Sequence, residues 1–122
     1  MPSCDRHLQR EKTNLSAFPV SVNVVLHNQC NLKCPVCPYH GSYTPPYFQA
    51  KDTMPNAVAD RLLQELPKFA CAVKFGEFEE PLLDRGLVEK VIFGLYNQGV
   101  GTHVTTNGLL LDQYDLGNLN SV

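Results

Sequence analysis

Residues 18–26 begin with apolar side chains at alternate positions and close on Val24-Val25-Leu26, a pattern that predicts a buried strand. A different period follows. Pro55 suits a first helical turn, Ala57, Val58, Leu62, Leu63 and Leu66 recur at helical spacing, and Pro67 ends the run. Residues 70–75 predict a second strand. Leu87, Val88, Val91, Ile92, Leu95 and Tyr96 predict a second amphipathic helix, with Gly99 where a left-handed cap belongs. A third strand is expected over residues 101–105 and a turn at Asn107-Gly108. Leu110, Leu111, Tyr114 and Leu116 suggest the start of a third helix, weakened by Gly117. Residues 41–52, with Gly41, Pro45, Pro46 and the neighbouring Tyr39, Tyr43 and Tyr47, have no sustained period and read as a loop.

Strand and helix alternate without internal repeat, which predicts an α/β fold with parallel strands joined by right-handed crossovers. Residues 1–17 form a polar leader and residues 18–122 a single domain. In such folds ligands gather at the carboxyl ends of the strands. Three loops with chemical content fall there: the cysteine-bearing loop after the first strand, residues 76–81 after the second, and residues 106–108 after the third.

The first of these contains Cys30, Cys34 and Cys37 in the spacing Cys-Asn-Leu-Lys-Cys-Pro-Val-Cys. Clusters that only carry electrons normally have four protein thiolates. Three thiolates leave one iron open, as a metal site requires when something besides the protein must bind. The same triplet also suits zinc, with His27 or His40 as a fourth ligand. Cys4 and Cys71 lie outside the motif, and neither is assigned a role. An odd total of five cysteines argues against a disulfide framework.

Residues 27–38 closely resemble the cluster loop of the radical S-adenosylmethionine (radical SAM) enzymes. Glu80-Pro81-Leu82-Leu83 resembles the end of that family's glycine-glycine-glutamate motif, and Thr105-Thr106-Asn107-Gly108 its third-strand motif. The resemblance runs over residues 20–116 but covers only the first part of the family's catalytic domain. It implies a partial parallel (β/α) barrel of about three strand–helix units. It further implies that Cys30, Cys34 and Cys37 bind three irons of a [4Fe–4S] cluster and that S-adenosylmethionine chelates the fourth. Reductive cleavage of that cofactor would give a 5′-deoxyadenosyl radical. By the same resemblance Val36 packs near the adenine, Glu80 orients the cofactor's ammonium, and Thr106 and Asn107 contact the cofactor. An electron donor such as flavodoxin or ferredoxin is implied as a partner, and the substrate is open. Glu79 departs from the pattern, standing where glycine is usual and placing a second charge near the cluster.

Length and charge narrow these expectations. At 122 residues the chain is small for a complete barrel, so it is expected to be the amino-terminal portion of a catalytic core. Three strands would leave an unpaired edge, calling for self-association or a partner subunit that completes the barrel. Turnover by the chain alone is expected to be poor, and a non-catalytic iron–sulfur or zinc module is the alternative. A net charge of -2 offers no argument for nucleic acid. With no apolar run long enough to span a bilayer and no signal-peptide core, a cytoplasmic location is expected.

Overall fold

Alternation along three short strands sets the layout. In the computed structural model, which describes residues 19, 21–70 and 72–115, β1 (Ser21–Asn23), β2 (Ala72–Phe75) and β3 (Gly101–Val104) form a parallel sheet in the order β1-β2-β3. Val22 pairs with Val73 and Val73 with Thr102. Val73, Phe75 and Thr102 point to a buried face, whereas Asn23, Lys74 and His103 are exposed. The parallel α/β arrangement is as the sequence predicts. Among the described residues the sheet is open and no barrel closes; β3 ends the sheet. The expectations placed on residues 1–17, Cys71 and Leu116 lie outside the described residues.

β1 is shorter than the predicted run because the chain changes partner partway along it. Val24 N still donates to Lys74 O (2.9 Å), but Leu26 O accepts from Met54 N (2.8 Å) and Asn28 N donates to Asp52 O (3.1 Å). The segment expected as a loop therefore returns to cover the outer edge of this strand. It also contains a short helix, α1 (Pro46–Gln49), held by the buried Asn28, whose Nδ2 donates to Tyr47 O and Ala50 O and whose Oδ1 accepts from Asp52 N.

α2 (Asn56–Glu65) starts after Pro55 and gives way to a 3₁₀ turn, Leu66–Lys68, at Pro67. α3 runs through Arg85–Leu87, a π-helical stretch Val88–Phe93 and Gly94–Asn97. Asp84 caps it by accepting from Leu87 N (3.0 Å), satisfying one of the donors a helix start leaves free. Gly99 closes it at φ 81°, as the spacing predicts, with Val100 N returning to Leu95 O. Leu26, Val73, Val91, Ile92 and Leu95 are completely buried between sheet and helices. Each contributes on the order of 1.5–3 kcal/mol.

The third helix does not form. Only a 3₁₀ turn, Leu111–Gln113, appears, and the chain then extends at Tyr114. The reason is tertiary: Tyr114 is buried and its hydroxyl donates to Leu82 O (2.7 Å), which pins the chain before a helix can propagate.

Gly76 draws the carboxyl ends together. Its φ is +89°, and a Cβ there would lie 2.0 Å from Thr105 O. Only glycine lets the exit of β2 pass this close to the exit of β3.

Candidate functional site

The loop after β1 carries all three motif cysteines as free thiols: Cys34 is exposed, Cys30 and Cys37 half-buried. Backbone amides already point at two of them, with Leu32 N donating to Cys30 Sγ (3.5 Å) and His40 N to Cys37 Sγ (3.3 Å). The turn is closed by Cys37 N to Cys34 O (2.9 Å) and Gly41 N to Cys37 O (3.1 Å). The donor set suits three corners of a cluster. In the loop as folded the sulfurs are presented rather than gathered: among the described residues no three His, Cys, Asp or Glu side chains converge closely enough to hold a metal. Neither histidine considered for zinc joins them. His40 Nε2 lies 2.8 Å from Phe78 O, and His27 is buried with Nδ1 accepting from Gln29 N (3.2 Å).

Glu80 stands where the three loops meet. It is 2% exposed. Its Oε1 accepts from Leu82 N (3.1 Å) and from the Thr106 hydroxyl (2.7 Å), and its Oε2 from Asn107 N (2.8 Å). Its own N–H donates to Gln29 O (2.9 Å) beside the cysteines. Asn107 Nδ2 donates to Asn31 Oδ1 (2.8 Å), tying the third loop to the first. The Glu80 carboxylate thus fastens the second and third loops, its main-chain N–H reaches the first, and charge-assisted bonds such as those to the carboxylate are the strong ones.

The other two acids behave differently. Glu77 is exposed and accepts from Asn23 Nδ2 (2.9 Å). Glu79 is buried, and its carboxylate turns back onto its own loop, accepting from Gly76 N and Phe78 N (both 3.3 Å). The Glu79 carboxylate thus serves two amides that a glycine at this position would leave without these acceptors. Val36 is 93% exposed, so it is no core anchor. Thr106 is half-buried and Asn107 exposed.

Sequence reasoning missed Asn31, Gln29 and Phe78. Phe78 packs on Tyr39 (5.1 Å between ring centroids) and Phe48 (5.4 Å), so it links the loop after β2 to the aromatic segment beyond the cysteines. The tyrosine-rich composition of that segment was visible, but its partner lies in a distant loop.

Burial holds the His27 imidazole below its ordinary value of 6.5, while Glu79, Asp84, the Pro81 backbone and Glu80 pull the other way. The unfolded chain therefore binds this proton more readily than the native one, and native stability falls as pH drops from about 6.5 through the lowered folded value. Wild-type protein is expected to lose more thermal stability than His27→Gln between about pH 7.5 and about pH 5.5. Equal losses would show that another group governs the acid limb.

No protein-family model matches the chain, and no curated protein matches its sequence. Among the described residues no helix is long and apolar enough to cross a membrane. The fold is similar to the crystal structure of BtrN in complex with AdoMet and 2-DOIA, with a TM-score of 0.68 and 23% identity over 87% of this chain and 43% of BtrN. The chain therefore spans less than half the length of that protein. What the two share is the fold of part of that protein.

Proposed function

We propose that this chain is a radical SAM protein in which Cys30, Cys34 and Cys37 ligate three irons of a [4Fe–4S] cluster and Val36, Glu80, Thr106 and Asn107 border S-adenosylmethionine. The observation that carries this reading is the fastening of three carboxyl-end loops around Glu80, with the cysteines on one of them. When bound, the cluster and S-adenosylmethionine supply one-electron cleavage to methionine and a 5′-deoxyadenosyl radical.

The chain's own residues prepare for both groups. Free thiols on one loop, two already facing amide donors, provide thiolates whose remaining lone pairs are stabilised by N–H groups. Holding a cluster would require Cys30, Cys34 and Cys37 to draw together, which would couple ligation to local ordering. A carboxylate offers about four lone-pair sites, and three on Glu80 are taken within the chain. The fourth, on Oε2, remains for a ligand ammonium. Exposed Val36 supplies an apolar contact beside the third cysteine.

The test is anaerobic reconstitution of the full chain, reduction with dithionite in the presence of S-adenosylmethionine, and measurement of methionine and 5′-deoxyadenosine. Both products are expected in equal amounts. Slow formation is expected, because the open sheet leaves the site accessible to water. Cofactor binding without cleavage would favour the non-catalytic iron–sulfur module, and failure to bind cofactor would overturn the proposal. A protein donor such as flavodoxin or ferredoxin would take dithionite's place in the cell.

A further inference from the structure

One face of this sheet departs from what parallel strands normally do. Parallel sheets are covered on both faces and their strands read as nearly continuous apolar runs. Here the face away from the core carries a polar row: Asn23 on β1 is the register partner of Lys74 on β2, and Lys74 that of His103 on β3. All three are exposed. Neighbouring strands lie about 4.8 Å apart, so the side chains of the row stand shoulder to shoulder.

The row is not internally satisfied. The Lys74 ammonium makes no ion pair or hydrogen bond among the described residues, and neither does the His103 ring. By contrast Lys68 and Lys90 pair with Glu65 and Asp60. The Asn23 amide donates to Glu77 Oε2 (2.9 Å), while the Lys74 ammonium makes no ion pair with that carboxylate. A cavity of about 170 Å³ opens beside Lys74, lined also by Asn23, Phe75, Gly76, Glu77 and Thr105. It lies at the carboxyl ends of the strands, on the side where such folds take their ligands.

We infer that Lys74, flanked by His103, is the anchor for an oxyanion of the substrate, a carboxylate or a phosphate. The ammonium supplies three donors and a full charge, the neighbouring imidazole a further donor, and the Thr105 hydroxyl one more at the rim. Glu77 lines the same cavity, and its carboxylate is held by the Asn23 amide rather than by Lys74. As a substrate subsite the assignment rests on the function proposed above; as an anion site it stands on the row and the cavity.

The experiment is a titration of the full chain with inorganic phosphate and, separately, with acetate at constant ionic strength. It is followed through the side-chain ¹H–¹³C resonances of Lys74 and His103. Saturable shifts of both residues are expected. Tighter phosphate binding would identify a phosphorylated substrate, and equal or tighter acetate binding a carboxylate. Lys74→Gln should weaken binding about tenfold, His103→Gln by less, and Lys68→Gln not at all. Unsaturable shifts spread over the surface lysines, or unchanged affinity in Lys74→Gln, would overturn the inference. Iron and sulfide content measured on the same preparations separates the two proposals. A loaded cluster without anion binding sinks this one alone, and anion binding without a cluster sinks only the other.

Discussion

Alanine at Cys30, at Cys34 or at Cys37 should each abolish the cluster formed on anaerobic reconstitution. Each thiolate would hold a different iron, and removing one of three leaves two ligands for a group that already lacks a fourth from the protein. Neither His27 nor His40 is placed to substitute, since one is buried and the other meets Phe78 O. Iron and sulfide analysis with the visible absorption spectrum reads the result. Alanine at Cys4 or Cys71 should leave the cluster intact. A full cluster retained in any of the three motif variants would defeat the assignment, and tightly held zinc with no sulfide would replace it by the zinc reading.

Removing the Glu80 carboxylate should be the most damaging single change to the folded chain outside its apolar core. Glu80→Ala leaves Leu82 N, Thr106 Oγ1 and Asn107 N without the acceptor that a 2%-exposed carboxylate now provides. Unfolding free energy should drop by about 3 kcal/mol or more in urea titrations. Glu80→Gln is the more telling variant. Whichever way the new amide is turned, its NH₂ meets a backbone N–H, either Asn107 N or Leu82 N. A cost of about 1.5–3 kcal/mol is expected, together with weaker S-adenosylmethionine binding by a similar amount. Glu77→Gln, at an exposed carboxylate with one side-chain partner, should do neither. Wild-type stability in Glu80→Gln would show that the clasp carries little energy. Wild-type cofactor affinity in a stable Glu80→Gln protein would show that the ligand does not use it.

The order of elements and the parallel α/β class were legible because they follow from local periodicity, which a chain carries residue by residue. The helix at Leu87 to Tyr96 and the cap at Gly99 are of this kind: an apolar stripe must be buried, and a left-handed terminus favours the residue without a Cβ. The three cysteines on the loop after the first strand were legible too, as free thiols at the carboxyl end of the sheet. The places where sequence reading failed all depend on contacts between distant segments. The first strand shortens because residues 52–54 return to its edge, and the third helix is lost because Tyr114 reaches Leu82. Glu79, Glu80 and Glu77 form one acidic run in the sequence, yet three environments separate them: a loop staple, a buried clasp and an exposed partner of Asn23. The sequence by itself determined which residues could ligate and which segments would become strands and helices. Tertiary structure alone decided which carboxylate reaches across to the third loop and that Asn23, Lys74 and His103 form one row. Burial and cross-strand register are properties of chain segments brought together from far apart, and no local pattern encodes them.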